Sequence, residues 1–170
     1  MRRTVSTGRL SSQSMSEEGI LFLHLAGVLL FVGGAIAAAV LRLAATRRSR
    51  PSEIALLLRA VRPVVPLVAG GLVLAIAAGF WLASEDDIAL SSTWLTLTFV
   101  LLGWVIAVGA VAGRQDRHTR ELAERLAADG DAPSSDLARR LRDPVNLALN
   151  ASLLAAVVAI VALMVWKPGA

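Results

Sequence analysis

Four long apolar stretches, separated by shorter polar segments, dominate the pattern of the chain. They cover residues 20–41, 64–83, 93–113 and 145–166. Each has about the 20 residues that an α-helix needs to cross the hydrocarbon core of a bilayer. None shows the polar and apolar alternation of a membrane β-barrel strand. The pattern predicts an all-α membrane protein, an antiparallel bundle of four transmembrane helices with cytoplasmic helical connections.

The polar segments predict the ends and the connections of the bundle. Residues 1–19 are expected to form a flexible N-terminal tail and residues 167–170 a C-terminal tail. The segment 52–61 is amphipathic, and we expect its Arg side chains to lie against anionic lipid headgroups. Residues 114–128 are expected to continue the third helix, and Ser135 to cap a short helix. The Asp143-Pro144 pair is typical of the start of a helix.

The charges of the connections predict an orientation. Residues 42–62 contain six Arg and residues 114–143 contain seven, whereas residues 84–92 contain three acidic residues and no basic one. The positive-inside rule therefore places the first and third connections in the cytoplasm and both termini outside. A start of translation at Met15 instead of Met1 would strengthen this bias. The residues that carry this topology prediction include Arg47, Arg48, Arg50, Arg114 and Arg117.

The composition narrows the chemistry. Hydrophobic residues make up 56% of the chain and charged residues 18%, which excludes an ordinary soluble enzyme. The chain has no Cys, so disulfides, iron–sulfur clusters and zinc-thiolate sites are excluded. The net charge of +4 comes from basic residues that flank the apolar stretches. We therefore expect the lipid bilayer to be the partner, and no nucleic acid.

Small and polar residues mark candidate contacts between the helices. Close packing of small residues holds membrane helices together because lipid gives them no hydrophobic reason to associate. Asn146 and Asn150, one turn apart, are expected to bond to a neighbouring helix or to interfacial water. The Gly109–Gly113 pair is also compatible with a homodimer. The glycines expected at packing positions are Gly27, Gly34, Gly71, Gly103, Gly109 and Gly113.

His24 is the candidate functional residue, because an ionisable side chain inside a membrane span is a functional hypothesis by default. Three interpretations stay open. The imidazole bonds to Ser92, Thr93 or a backbone carbonyl, or it ligates haem or copper, or it relays protons or binds a substrate. Met164 lies at a similar depth and is a second candidate ligand. His118 follows the third span on the other side of the bilayer, so we expect it at the surface.

Beyond His24, the sequence offers no catalytic constellation. It has no Ser/His/Asp arrangement and no phosphate-binding glycine loop, and no charged residue lies deep inside a span. We therefore name no catalytic residue and establish no cofactor, although haem or copper is compatible with His24. Three functions stay open. They are a non-enzymatic structural or partner-binding protein, a haem- or copper-binding redox or metal-handling module, and a small permease.

Several short motifs resemble those of a bacterial family of predicted integral membrane proteins of unknown function. They are Leu-His-Leu-Ala-Gly at 23–27, Gly-Gly at 33–34, Gly-Phe-Trp-Leu-Ala at 79–83 and Leu-Met-Val-Trp-Lys-Pro at 163–168. That family is distantly similar to copper-resistance-D-like membrane proteins and to small haem-associated protoporphyrinogen oxidases. The resemblance implies a four-span fold in a bacterial cytoplasmic membrane, with His24 as the position to test.

Overall fold

The computed structural model describes the backbone of residues 7–85 and 92–167, and the side chains of residues 17–84 and 92–167. Within these ranges the chain is helical and contains no strand. Four helices are long and apolar enough to cross a membrane. The predicted all-α class is confirmed, and it is consistent with a four-helix membrane bundle. The helices are α1 Thr7–Thr46, α2 Pro51–Val61, α3 Val64–Glu85, α4 Thr93–Ala128, α5 Ser135–Leu141 and α6 Pro144–Trp166.

Two helices extend beyond the apolar stretches that define the predicted spans. Helix α1 begins at Thr7, inside the segment that we expected to be a flexible tail. No proline interrupts the chain before residue 51, so a helix formed in the span can extend in both directions. Helix α4 runs without a break to Ala128, as predicted. At 1.5 Å per residue its 36 residues extend about 54 Å, well beyond the ~30 Å of the hydrocarbon core.

The starts of the last two helices follow from their capping residues. Asp143 accepts a hydrogen bond from the backbone N–H of Val145 at 3.0 Å, and Pro144 occupies the first helical position, as predicted. For α5 the prediction was wrong by one residue. The hydroxyl of Ser134, not that of Ser135, accepts the N–H of Leu137 at 3.4 Å. Both serines can cap a helix, and extended backbone at Ser134 decides between them.

The chain divides into two compact units, of which the first comprises Met1–Gly34 and Pro66–Ile88. In its described part, α1 and α3 pack against each other in antiparallel directions. Gly27 approaches Ala75 and Gly71, and Phe31, one turn later in α1, approaches Gly71. We call these two segments the α1–α3 pair.

The second unit comprises Ala35–Val65 and Ala89–Ala170. Helix α6 packs along α4 in the antiparallel direction. At the start of α4, the ammonium group of Lys167 lies 5.9 Å from the centre of the Trp94 ring, within the range of a cation–π interaction. Towards the other end, Arg42 bonds to both Asp116 of α4 and Asn150 of α6. Trp94 is 6% exposed.

Helices α2 and α5 pack on the polar part of α4, and we call α2, α5 and residues 114–128 the Arg-rich subdomain. Ile54 and Leu58 of α2 are 2% and 4% exposed, and Leu137 of α5 is 1% exposed. The apolar face of α2 therefore contacts protein. The expectation that its Arg side chains lie on lipid does not describe Arg59, which bonds to Glu124 of α4. The buried cluster consists of Ala45, Ile54, Ala55, Leu58, Ala123 and Leu137.

Candidate functional site

The imidazole of His24 reaches from α1 to the backbone of α3. Its Nδ1 lies 2.8 Å from the carbonyl oxygen of Ala75. A carbonyl can only accept, so Nδ1 carries the hydrogen and donates it. In the neutral ring Nε2 is then left with its lone pair. Nε2 has no hydrogen-bond partner in the part of the chain that the structure describes.

A glycine in α3 makes this contact sterically possible. Gly79 lies four residues after Ala75, so its missing side chain leaves space beside the carbonyl of Ala75. A Cβ atom at Gly79 would lie 3.1 Å from both Nδ1 and Cε1 of His24. That distance is tighter than most Cβ contacts, so a side chain at this position would require the imidazole to shift by a few tenths of an ångström. In the sequence, Gly79 stands out only as part of the Gly-Phe-Trp-Leu-Ala motif, and no local pattern connects it with His24.

Two of the predicted packing glycines set the distance between the helices of the α1–α3 pair. A Cβ atom at Gly27 would lie 2.6 Å from the backbone nitrogen of Ala75. A Cβ atom at Gly71 would lie 2.7 Å from the backbone nitrogen of Phe31. Both are shorter than real Cβ contacts, so only glycine permits this approach. The contact at Gly27 lies one turn along α1 from His24 and thus fixes the distance that the imidazole must cross.

Gly34 is buried, but the glycines of α4 lie elsewhere. Gly103, Gly109 and Gly113 are on an exposed face, where an added Cβ would meet no described atom within 4 Å. Helix α4 instead buries a face with larger side chains. The buried face of α4 therefore differs from the stripe of small residues that the sequence favoured. Homodimer contact through Gly109 and Gly113 stays a prediction. The buried face of α4 comprises Trp94, Thr98, Val105, Val108, Ala112, Thr119 and Ala123.

Met164, the second candidate ligand, and His118 lie in the second unit. Met164 is half-buried on α6, and its pairing with His24 stays a hypothesis. His118 lies on α4 with 71% of its side chain exposed. No group of three His, Asp or Glu side chains that could hold a metal ion occurs among the described residues. The acidic residues Asp86 and Asp87 lie outside the described residues.

A polar network that the sequence reasoning missed joins α1, α4 and α6. Arg42 donates from Nε to Oδ2 of Asp116 at 2.6 Å, and its Nη2 forms an ion pair with the same carboxylate. Nη1 of Arg42 makes a long contact of 3.5 Å to Oδ1 of Asn150. Asn150 in turn donates to the carbonyl of Asn146 at 2.8 Å. The partner of Asp116 lies 74 positions away in the sequence, so no local pattern indicates the pair.

The arginines that predict the topology are exposed at the surface of the second unit. Arg47, Arg50 and Arg114 are exposed, as are Arg48 and Arg117. Arg48 lies 3.7 Å from Glu53, and Arg117 bonds to Glu121 at 2.9 Å. They are solvated surface charges, each of which contributes little to stability.

The loop between α4 and α5 is fastened to the start of α2. Gly130 and Asp131 adopt positive φ angles of 111° and 57°, which turn the chain after α4. The carboxylate of Asp131 accepts hydrogen bonds from the hydroxyl and the backbone N–H of Ser52, each at 2.7 Å. These two bonds hold the pKa of Asp131 below its ordinary value of 3.8.

Comparison with known proteins agrees with the architecture. Residues 18–168 match the family described as predicted integral membrane protein (DUF2269), a range that includes all four apolar stretches. No curated protein and no solved structure matches the chain. The likeness to copper-resistance-D-like proteins and to haem-associated oxidases stays a hypothesis. The match covers nearly the whole sequence, and the chain therefore belongs to the DUF2269 family of integral membrane proteins.

Proposed function

We propose that this integral membrane protein binds haem, and that Nε2 of His24 would hold the iron. The observation that supports the proposal is the hydrogen bond from Nδ1 to the carbonyl of Ala75. Histidines that ligate metals almost always donate their other ring N–H to a carbonyl or a carboxylate. Such a bond fixes the tautomer, orients the ring and makes the ligating nitrogen more basic. His24 has this bond, and its Nε2 has no partner among the described residues.

The donor set of the chain favours haem over copper. A copper site gathers several imidazole, thiolate or thioether ligands around one ion. The chain has no Cys and two His, of which His118 is an exposed residue of the second unit. In haem, the porphyrin supplies four nitrogens, so a single imidazole from the protein suffices. The proposal therefore needs no second ligand from the protein.

The residues of the α1–α3 pair would have separate tasks in such a site. Gly27 and Gly71 bring the two backbones together, and Gly79 leaves space for the ring. The carbonyl of Ala75 holds the proton on Nδ1, so that Nε2 keeps its lone pair for the iron. Bound haem would supply one-electron redox chemistry inside the membrane. We assign no catalytic residue.

Absorption spectroscopy of the detergent-purified protein, before and after addition of haemin, tests the proposal. We expect the wild type to show a Soret band shifted from that of free haemin. The His24→Ala variant should lose this shift, whereas the matched control His118→Ala should keep it. If His24→Ala kept the shift, or if the wild type bound no haem, the proposal would be wrong. The function would then be sought among protein partners or permeated solutes, with His24 as a structural hydrogen-bond donor.

The proposal includes an orientation in a bacterial cytoplasmic membrane. The Arg-rich subdomain would lie in the cytoplasm and both termini outside. Its support is the charge bias of the connections together with the surface position of their arginines. Cysteines introduced at Asp86 and Asp131 can be labelled with a thiol reagent that does not cross the membrane. We expect the two positions on opposite sides of the membrane. If both cysteines were labelled from the same side, the proposed orientation would be wrong.

A further inference from the structure

Helices α4 and α5 border an open groove on the Arg-rich subdomain that the haem proposal does not use. The groove has a volume of about 330 Å³. Helix α4 contributes four residues at helical spacing, and α5 contributes Arg140. Leu122, which packs on the buried cluster of the subdomain, supplies apolar surface to it. The lining residues are His118, Glu121, Leu122, Arg125 and Arg140.

The two arginines of this groove differ from their neighbours in charge pairing. Arg117 pairs with Glu121, and Arg139 lies 3.9 Å from Asp136. Arg125 and Arg140 have no acidic partner among the described residues, and both side chains are exposed. Two guanidinium groups without a counterion thus line one small concave surface.

The remaining charges of the groove leave it basic. Glu121 is the one acidic residue that lines it, and its Oε1 accepts a hydrogen bond from Nε of Arg117 at 2.9 Å. Arg117 does not line the groove, so the negative charge of Glu121 is paired with a residue outside the groove. Nδ1 of His118 lies 4.0 Å from Oε2 of the same carboxylate. Together, Arg125 and Arg140 give the lining an excess of positive charge.

We propose that this groove binds a phosphate group through Arg125 and Arg140. The planar fork of a guanidinium matches two phosphate oxygens, and such charge-assisted hydrogen bonds are among the strongest in proteins. A volume of about 330 Å³ is at the lower end of the range of small-molecule sites. The ligand class is therefore inorganic phosphate, pyrophosphate or a small phosphate ester.

The length of α4 favours a ligand dissolved in water over a lipid headgroup. Arg125 lies twelve residues beyond Gly113, the end of the apolar stretch, which is about 18 Å along a helix. The headgroup layer on each side of a bilayer is only about 5–8 Å thick. A headgroup phosphate at this depth could come near His118, five residues beyond Gly113, more easily than Arg125.

Isothermal titration of the full-length protein in detergent, with sodium pyrophosphate as the probe, tests the proposal. We expect the wild type to bind pyrophosphate and the R125Q/R140Q variant to bind it at least about tenfold more weakly. Arg139→Gln removes the same charge from the neighbouring position of α5 and should leave binding within about twofold. Equal affinity for the wild type and R125Q/R140Q, or no binding by the wild type, would overturn the proposal.

Two further variants test whether misfolding explains the weaker binding of R125Q/R140Q. Arg125→Lys and Arg140→Lys keep the charge but remove the guanidinium fork. We expect each to bind pyrophosphate with an affinity between those of the wild type and R125Q/R140Q. Circular dichroism and gel filtration should show unchanged helix content and size. A response that sodium chloride reproduces at equal ionic strength would refute a phosphate site.

The source of the phosphate is resolved by repeating the titration in lipid nanodiscs. Nanodiscs of zwitterionic phosphatidylcholine are compared with nanodiscs that contain anionic phosphatidylglycerol. If pyrophosphate binds equally in both, the ligand comes from solution, as the length of α4 favours. If phosphatidylglycerol competes with pyrophosphate, and R125Q/R140Q abolishes the competition, the site takes a lipid headgroup. Either result supports a phosphate site at Arg125 and Arg140.

Discussion

The α1–α3 pair and the Arg-rich subdomain hold their helices together by opposite means. In the α1–α3 pair, Gly27 and Gly71 let one backbone touch the other, and one imidazole bonds across the contact. In the Arg-rich subdomain, large side chains such as Ile54 and Leu137 are almost fully buried. Ion pairs surround that cluster, among them Arg59 with Glu124.

The difference follows from the solvent that each region is built for. A leucine that moves from lipid tails into a contact between helices gains no hydrophobic free energy, because lipid tails are equally apolar. Close van der Waals contact and hydrogen bonds must therefore hold the helices together. In water, burial of apolar surface stabilises by about 25 cal/mol per Å², and large side chains contribute most. The first region should therefore be sensitive to added atoms and the second to removed atoms.

The largest effect is expected from removing atoms in the Arg-rich subdomain. Ile54→Ala should destabilise it by about 2–5 kcal/mol, because a 2% exposed side chain leaves a cavity. Hydrogen exchange followed by mass spectrometry should show faster exchange in α2 and α5. The control Leu56→Ala alters a side chain of the same helix that is 69% exposed, and should change exchange little. Equal effects of both substitutions would contradict a buried role for this face of α2.

Adding one methyl group should have the next largest effect, in the α1–α3 pair. Gly27→Ala places a Cβ atom 2.6 Å from the backbone of Ala75, and backbone cannot rotate away as a side chain can. We expect a loss of about 1–3 kcal/mol, as for other overpacked sites. Unfolding by sodium dodecyl sulfate in mixed micelles, followed by circular dichroism, measures it.

Gly33→Ala is the matched control in the same helix. A Cβ at Gly33 meets no described atom within 4 Å, and alanine favours a helix over glycine. Gly33→Ala should therefore leave stability unchanged or raise it by up to about 1 kcal/mol. If Gly27→Ala proved as harmless as Gly33→Ala, the close backbone contact would not exist in the membrane.

A smaller effect is expected at the ion pair between Arg42 and Asp116. The two side chains are 24% and 29% exposed, between the surface and buried classes. Asp116→Asn keeps the size and removes the charge, and should cost about 1–2 kcal/mol of unfolding free energy. Asp136→Asn, which alters a pair whose side chains are 80% and 75% exposed, should change it by less than about 0.5 kcal/mol. Equal losses of unfolding free energy in the two variants would show that the Arg42 network contributes no more to stability than an exposed ion pair.

Much of the fold followed from hydropathy, because a membrane span must be long, apolar and helical whatever it packs against. The Asp143 cap and the extension of α4 to Ala128 were equally local and were predicted correctly. The packing face of α4 was not predicted correctly. Small residues mark where helices can approach, but whether a partner occupies that face depends on the other helices. Gly103 shows this, since nothing described packs on it.

The candidate site shows the same limit. His24 stands out in the sequence because it is the one ionisable residue of its span. Its partner, the carbonyl of Ala75, has no side-chain signature and lies 51 residues away. The role of Gly79 could have been inferred only from the register of α1 against α3. Arg42 likewise entered the sequence analysis only as one of the six Arg of residues 42–62, because the positive-inside rule needs no tertiary contact.

The smallest expected effect concerns the bonds of Asp131 to Ser52 in the Arg-rich subdomain, and it depends on pH. Because the pKa of Asp131 is lower in the folded protein than its ordinary value of 3.8, the carboxylate stabilises the fold above that value. This contribution is lost as the pH falls through the folded-state pKa. Asp131→Asn should therefore lower stability by a constant amount near neutral pH, and the difference from the wild type should shrink below pH 3.8. The amide shift of Ser52 in nuclear magnetic resonance spectra should titrate with a midpoint below 3.8. A midpoint at or above that value would mean that the loop after α4 is not fastened to α2 in solution.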